Sequence, residues 1–343
     1  MVGSDGDPYI WCVAPAYLRG PYAISWSHAL GASQPMSNAP PITFAIPFYR
    51  NLDFLERAIT SVLRQHSEDW RVIVCDDAGT KAGAGALVAS YADTRISAVR
   101  NSETLGLAGN WNRCLDLADT DFVTILHADD ELAPTYTRIV LEAHERHDAT
   151  AVYTRVRVID ASGRPMISFP DFFKRVIEPH GGEDAVIAGE PGLARLMRGN
   201  FIFCPTLCFR RSRIGRAAFD PRWRHVVDLA LVSDLLLRGD RIVGSPQVAY
   251  SYRRHPNSET VQNTQSLLRF KEQSALLDEV SERAMHLGWS SAASVAARKR
   301  IMWSHLSFRF FEDVMHGRWS AVKAKVALAR SGALTQRSSR GPR

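Results

Sequence analysis

The chain has 343 residues, 45% hydrophobic and 23% charged, which allows a sizeable core without staples and argues against wholesale disorder or a fibrous repeat. Its net charge of +6 is unevenly placed: residues 291–343 hold eleven Lys or Arg against two acids, so the remainder is mildly acidic and a body built to bind nucleic acid is disfavoured. No run approaches the roughly 18 apolar residues of a membrane span, the first seven residues lack the features of a secretory signal, and five cysteines without a CxxC pair fit reduced thiols in a cytosolic protein.

Residues 1–41 are rich in Pro, Gly and Ser and read as an N-terminal extension. Ile42–Ile46 then predicts a strand ended by Pro47. Asp53 and Glu56 have the spacing of a capping box ahead of a helix that carries Leu55, Ala58, Ile59 and Val62. Arg71–Cys75, Ile96–Val99 and Phe122–Leu126 predict further strands, with a helix over Trp111–Ala118. Strands alternating with helices at this pace imply an α/β fold with a parallel sheet covered on its faces, where ligands bind beyond the carboxyl ends of the strands. Ala151–Ile159 reads as another strand. The stretch 160–200 reads as a long loop or lid with a short helix near Leu193–Met197. Leu229–Leu237 is helical, Ile242–Tyr252 extended, and the pattern from about Ser266 onward helical. Residues 336–343 read as a disordered tail. There are no internal repeats.

Acids gather where the strands end: Asp76-Asp77, Asp129-Asp130 and Asp228. Adjacent carboxylates repel unless a cation neutralises them, so such pairs suit a hard divalent ion, which would in turn hold a diphosphate. Turn or helix-cap chemistry is the competing reading of each pair, and a helix N-cap is that of Asp228. A phosphatase centred on Asp76 lacks its second acid, since the position two residues on is Ala78. A dinucleotide dehydrogenase lacks its Gly-x-Gly-x-x-Gly. Trp111 and Tyr136 read as packing residues and Cys75 as core.

Four segments, taken as a set, resemble the nucleotide-sugar half of the family 2 glycosyltransferases, which have the GT-A fold. They are Pro47-Phe48-Tyr49, Ala58-Ile59-Thr60-Ser61-Val62-Leu63-Arg64-Gln65, Asp76-Asp77-Ala78-Gly79-Thr80, and Leu105-Gly106-Leu107-Ala108 with Asn112 ahead of Asp129-Asp130. Phe209-Arg210-Arg211, Asp228-Leu229 and Tyr252-Arg253-Arg254-His255 resemble the acceptor half. The resemblance implies a GT-A domain over 42–258, with a nucleotide-sugar half at 42–135 and an acceptor half at 136–258. A helical region at 259–335 would follow it.

By the same resemblance, Asp77 would bind the nucleotide base with Pro47 and Tyr49 lining its pocket, while Gly106 and Asn112 would enclose the nucleotide. Asp129 and Asp130 would meet the ribose and a divalent metal, Mn²⁺ or Mg²⁺, with the choice between them open. The family usually has Asp-x-Asp-Asp where this chain has His127 in first place, and His can also ligate Mn²⁺. His255 would touch the metal or diphosphate, a solvated surface His being the alternative. Asp228 would be the general base of an inverting transfer to an acceptor hydroxyl. The resemblance favours a UDP-sugar donor and a carbohydrate or lipid-linked acceptor in cell-surface polysaccharide or glycoconjugate synthesis. A non-catalytic nucleotide-sugar-binding scaffold is the alternative that His127 motivates.

Met302, Leu306, Phe310 and Val314 recur every four residues, with Lys299, Arg300, Arg309 and Arg318 available as polar flanks. Such a helix can bury its stripe in the domain or rest on an anionic membrane, which gives 291–343 a peripheral role at the inner face. No motif supports nucleic-acid binding.

Overall fold

The computed structural model describes residues 42–79, 83–167, 174–179, 181–215, 217–256 and 258–331. The extension 1–41, Thr80 and the tail 336–343 lie outside the described residues.

The first half alternates as the apolar runs predict. Strand β1 (Ile42–Phe48), helix α1 (Leu52–Leu63), β2 (Trp70–Asp76), α2 (Gly85–Ser90), β3 (Ile96–Arg100), α3 (Gly106–Leu117) and β4 (Phe122–Ile125) follow one another. β1 pairs in parallel with both β2 and β4, and β2 with β3. Two local expectations are corrected. Pro47 does not end β1, which continues to Phe48. The missing N–H costs nothing there, because Ala45 and Pro47 face β4 and the pairing with β4 stops at Ala45–Ile125. Helix α1 is capped by Asn51 and not by Asp53: Asn51, at φ 73°, accepts the Phe54 N–H at 3.2 Å, and Asp53 lies in the first turn.

The second half adds β5 (Glu131–Leu132), α4 (Tyr136–His147), β6 (Ala151–Ile159), β7 (Ala185–Ile187) and α5 (Gly189–Arg198). Then come a 3₁₀ turn (Cys204–Thr206), β8 (Cys208–Arg210), α6 (Arg211–Ile214), α7 (Val227–Leu237) and β9 (Ile242–Arg253). The stretch expected as a loop over 160–200 therefore contains a strand and a full helix, α5, whose Leu193, Ala194, Leu196 and Met197 enter the core. The sheet runs β3-β2-β1-β4-β8-β6-β9-β5, with β7 against β9. It is parallel through β4 and mixed beyond.

That mixture decides where the site lies. β8 is antiparallel to β4, β6 antiparallel to β8, and β9 parallel to β6, so two reversals restore the original direction. β9 thus ends at the same edge of the sheet as β1, β2 and β4. Helix α7 precedes β9 by a short connection and runs the opposite way, so its first turn opens at that edge as well.

Helices α8 (Glu259–Gln265), α9 (Leu268–His286), α10 (Ser290–Arg298), α11 (Arg300–Met315) and α12 (Trp319–Arg330) complete the described chain. Phe270, Leu277, Val280, Ala296, Met302 and Leu306 share one hydrophobic core with strand residues such as Ile73, Val123 and Phe209. The Met302–Leu306 stripe is therefore spent on the domain. Three of the four expected polar flanks are also spent: Lys299 donates to Asp278 at 2.7 Å, Arg309 pairs with Glu312, and Arg318 with Asp313. No helix of the described residues is long and apolar enough to cross a membrane.

Candidate active site

The loop after β4 carries His127, Asp129 and Asp130, and its exit is fixed by the helix before it. Ser61 on α1 accepts the Leu132 N–H at 3.0 Å. Gln65, just beyond α1, donates to the Ala133 carbonyl at 2.7 Å and accepts from the N–H and hydroxyl of Thr137. Ser61 and Gln65 are buried, so this clamp is shielded from competing water.

The two adjacent acids have opposite surroundings. Asp130 is 1% exposed; its Oδ1 accepts the Arg253 N–H at 2.7 Å and its Oδ2 the Tyr250 hydroxyl at 3.1 Å. Burial, together with the neighbouring Asp129 charge, pushes the Asp130 carboxyl well above the usual carboxylate range. Asp129 is about one-third exposed, and its Oδ2 lies 2.9 Å from His255 Nε2. Burial by itself would raise it, but the His255 hydrogen bond and the imidazoles of His127 and His255 outweigh that and hold it below its ordinary value. Asp129 is thus the ionised acid at the surface, and Asp130 is an anchor to β9.

Arg253 at the end of β9 locks this arrangement. Its fully buried guanidinium donates to the carbonyls of Asp129 at 2.7 Å, Asp160 at 3.0 Å and Ala161 at 3.3 Å, and pairs with Glu131. It stacks 5.1 Å from the Phe54 ring, which also touches His255.

His127 completes a possible cation site. One ligand atom from each of His127, Asp129 and Asp130 lies within 4.8 Å of the others. His127 Nε2 is buried with no hydrogen-bond partner, and its ring packs on Trp111 at 5.2 Å. An imidazole whose Nδ1 lies 3.9 Å from the Asp130 carboxylate and within one cluster with Asp129 fits Mn²⁺ or Mg²⁺, with the nitrogen favouring Mn²⁺. The expected ligands Asp129 and Asp130 are joined by His127, whose signal was its place at the end of a strand two residues before an acid. His255 sits outside that trio and hydrogen-bonds its exposed member.

Asp77 and Asn112 are engaged by the fold in ways the sequence did not announce. The Asp77 carboxylate accepts from the N–H groups of Leu105 at 2.8 Å and Gly106 at 3.0 Å and from the Asn101 amide at 2.9 Å, tying the start of α3 to the end of β2. Gly106 begins α3 at φ 72°. Asn112 spends both ends of its amide on Phe219, accepting its N–H at 2.9 Å and donating to its carbonyl at 2.7 Å. It bridges the two halves of the domain. Tyr49 is half exposed and lies on Gly79, where an added Cβ would sit 2.1 Å from the Tyr49 carbonyl oxygen. Trp111, Tyr136 and Cys75 are buried, as expected of packing residues.

Replacing Asp77 with Ala leaves the Leu105 and Gly106 N–H groups without their acceptor and is expected to cost about 2–3 kcal/mol of stability. Urea unfolding of the variant and the wild type measures this, and an unchanged midpoint would show that the carboxylate carries no structural load.

Asp228 lies in the first turn of α7 and is not its cap: Val226 holds that position without a side-chain bond. The orphan N–H groups before the helix are taken by Glu272 of α9, which accepts from Arg224, His225 and Val226 at 2.7–3.3 Å. The Asp228 carboxylate itself accepts backbone N–H groups of that first turn, its own and that of Leu229. Asp228 lies within electrostatic reach of His127 and Lys174. Burial raises its carboxyl above the ordinary value, against the opposing pull of Lys174.

Comparisons with known proteins bear on the family and the fold. Residues 43–213 match the family described as Glycosyl transferase family 2. The chain is 34% identical over 95 residues to an uncharacterized protein of Mycobacterium tuberculosis, covering 28% of this chain and 30% of that protein. It is 26% identical over 218 residues to the succinoglycan biosynthesis protein ExoO of Rhizobium meliloti, covering 63% of this chain and 62% of that one. It therefore spans less than two-thirds of either relative's length. The fold superposes on S. aureus TarS in complex with UDP-GlcNAc with a TM-score of 0.60 at 14% identity, over 78% of this chain and 73% of that one. A mannosyltransferase from Pyrobaculum calidifontis in complex with GDP-Man and Mn²⁺ gives 0.56 at 15% identity, over 88% and 89%. At these identities the likeness establishes the GT-A fold.

Proposed function

The chain belongs to glycosyl transferase family 2 through residues 43–213, and we propose that it moves a sugar, with inversion, from a nucleotide-diphosphate donor to an acceptor hydroxyl. The observation that carries this reading is the cluster of His127, Asp129 and Asp130, whose ligand atoms lie within 4.8 Å of one another, with Asp228 within electrostatic reach of His127. Base and leaving-group site are then adjacent, as a single displacement requires.

Asp228 takes the proton from the acceptor hydroxyl as its oxygen attacks the anomeric carbon from the face opposite the departing diphosphate. Pro47, Tyr49 and Asp77 line the base pocket; the Asp77 oxygens already accept three N–H groups and keep some acceptor capacity for the base. Asn112 acts at one remove, holding Phe219 and through it the Trp111–His127 stack. Asp129 would hold a divalent cation, Mn²⁺ or Mg²⁺, together with His127 and Asp130 and with His255 supporting Asp129. When bound, the ion supplies positive charge that stabilises the leaving nucleoside diphosphate. The name of the ExoO relative supports a place in cell-surface polysaccharide or glycoconjugate synthesis. A UDP-sugar is the first donor to test.

Thermal shift against UDP-, GDP- and dTDP-sugars with and without Mn²⁺ tests the reading, followed by transfer assays in EDTA. The expected result is stabilisation by one nucleotide class that needs the metal, and transfer abolished by EDTA. Transfer that survives EDTA would remove the cation from the scheme, and a protein indifferent to every nucleotide sugar would remove the scheme.

We also place the protein in the cytoplasm, at the inner face of the membrane. Phe308, Phe311, Met315 and Trp319, at the junction of α11 and α12, are exposed, and Met315 is 83% so. Arg300, Lys323 and Arg330 are the exposed cations on the same two helices. Aromatic side chains beside cations suit an anionic headgroup layer, each basic residue adding about 1 kcal/mol. The double variant Phe311→Ser, Trp319→Ser is expected to lose co-sedimentation with anionic liposomes while keeping its fold. Equal pelleting of variant and wild type would rule out this surface.

A further inference from the structure

Helices α5 and α10 lie side by side and run the same way. At their starts, Glu190 of α5 accepts the Ser291 N–H at 2.7 Å and the Ala292 N–H at 3.2 Å. At their ends, Gly199, just past α5, faces Ile301 of α11, where an added Cβ would sit 3.7 Å from Cγ1. Between them opens a cavity of about 420 Å³, lined by Met197 and Arg198, by Ser291, Ser294, Val295 and Arg298 of α10, and by Arg300 of α11. The α10 residues follow one another at offsets of three, four and seven from Ser291, so they form one helix face.

The cavity wall carries three guanidinium groups and no acid. Among the described residues, Arg198, Arg298 and Arg300 make no hydrogen bond or ion pair, and Glu190 is engaged with helix N–H groups at the other end of the groove. Helix dipoles account for two of the cations: Arg198 and Arg298 stand in the last turns of α5 and α10, where a positive charge offsets the negative helix end. They do not account for Arg300, which opens α11 at the positive end of that helix. Arg300 reaches the cavity because of the residue before it. Lys299 takes φ 50°, rare for a residue other than glycine, and turns its buried ammonium inward to Ser274 at 2.8 Å and Asp278 at 2.7 Å. The chain bends there, and Arg298 and Arg300 fall on one wall.

Cations held on one concave wall repel one another and focus their field on the space between, so an anion entering there is attracted. The start of α11, capped by no side chain, adds its own partial positive charge. Guanidinium forks match phosphate oxygens, and the two serine hydroxyls can meet a phosphate oxygen or a ligand hydroxyl. Met197, which is buried, and Val295, which is half-buried, supply an apolar floor. The volume falls within the roughly 300–1,000 Å³ of small-molecule sites and leaves room for a carbon body beside the phosphate.

We propose that this cavity binds a small organic phosphate monoester, its phosphate held by Arg198, Arg298 and Arg300 and its carbon body lying over Met197 and Val295. None of these residues belongs to the proposed transfer site, so the inference stands apart from the transferase reading. A soluble polyol phosphate and a phospholipid headgroup ending in a phosphate monoester share this chemistry.

Glycerol 3-phosphate is the probe, titrated calorimetrically into the full chain in EDTA, so that no cation at His127 and Asp129 can hold the phosphate. The expected result is saturable binding that Arg298→Gln and Arg300→Gln each weaken about tenfold or more. Arg298→Lys, which keeps the charge without the fork, should lose less. Both positions are exposed, so the fold should survive replacement, and circular dichroism checks this. Inorganic phosphate should bind more weakly, having nothing to lay on the apolar floor. No binding by the wild type, equal binding by the wild type and both Gln variants, or inorganic phosphate bound as tightly as the ester would overturn the proposal. Vesicles of phosphatidylcholine with phosphatidic acid distinguish the two sources, with phosphatidylglycerol, a diester, as the control. Displacement of glycerol 3-phosphate by the phosphatidic acid vesicles alone assigns the site to a lipid headgroup, and undisturbed binding assigns it to a soluble ester.

Discussion

Asp228→Asn is expected to lower kcat by about a hundred- to ten-thousand-fold, the range a positioned general base supplies, with nucleotide affinity unchanged. The geometry separates the two effects. Glu272 anchors the N–H groups of Arg224, His225 and Val226 ahead of the helix, and the side-chain oxygen of Asn can still accept the first-turn N–H groups that the Asp228 carboxylate holds, so the replacement removes a base without opening the helix end. The pH behaviour follows from the raised carboxyl. Only the ionised form can accept a proton, so wild-type turnover should fall toward acid along a limb lying above the pH at which an ordinary aspartate titrates.

The sign for stability runs the other way. A carboxyl raised in the fold contributes stability that is present below its unfolded pKa and lost as pH rises through its folded one. At neutral pH the charged Asp228 therefore opposes folding, and Asn should leave the protein as stable or more so. Turnover, nucleotide titration and thermal melts on one preparation separate the outcomes. Unchanged turnover would remove Asp228 from the mechanism, and a lowered melting temperature would make it a structural residue.

Arg253→Met is expected to destabilise the protein by about 3–5 kcal/mol, the range for breaking a buried charge pair by deleting one partner. The guanidinium is fully buried and holds three carbonyls and Glu131. Its loss strands the Asp129 carbonyl within the cation-binding loop, so metal-dependent nucleotide binding should weaken at temperatures where the variant is still folded. Urea unfolding gives the stability change, and nucleotide titration with Mn²⁺ below the transition gives the site effect. A variant as stable as the wild type would mean that Glu131 and the carbonyls find other partners, and that Ser61, Gln65 and the Asp130 bonds to Tyr250 and the residue-253 N–H suffice to hold the loop.

Much of the site was legible because its signals are local. Apolar runs of strand length with acids at their ends placed Asp77 and Asp129-Asp130 at the carboxyl edge of a sheet, and the Leu-rich run after Asp228 placed that acid at a helix start. The same locality misled at Asp53, whose spacing to Glu56 is that of a capping box; Asn51 took the cap through a left-handed backbone that spacing does not encode. The helix α5 was underestimated because Gly189, Pro191 and Gly192 interrupt its start, although its apolar face is buried.

What the amino-acid sequence determined by itself was the kind of fold, the alternation of strands and helices in its first half and the short list of acids able to do chemistry, since periodicity, turn residues and adjacent charges act over a few positions. The tertiary structure decided what surrounds each acid. Asp129 and Asp130 are neighbours in the chain, yet one meets solvent and His255 while the other is sealed by Tyr250 and Arg253, which lie on a strand more than a hundred residues later. Asp228 lies in the first turn of its helix, and the N–H groups just ahead of that turn are held by Glu272, from a helix beyond the matched family residues. Desolvation and hydrogen-bond competition are set by whatever packs against a group, and those partners come from distant parts of the chain.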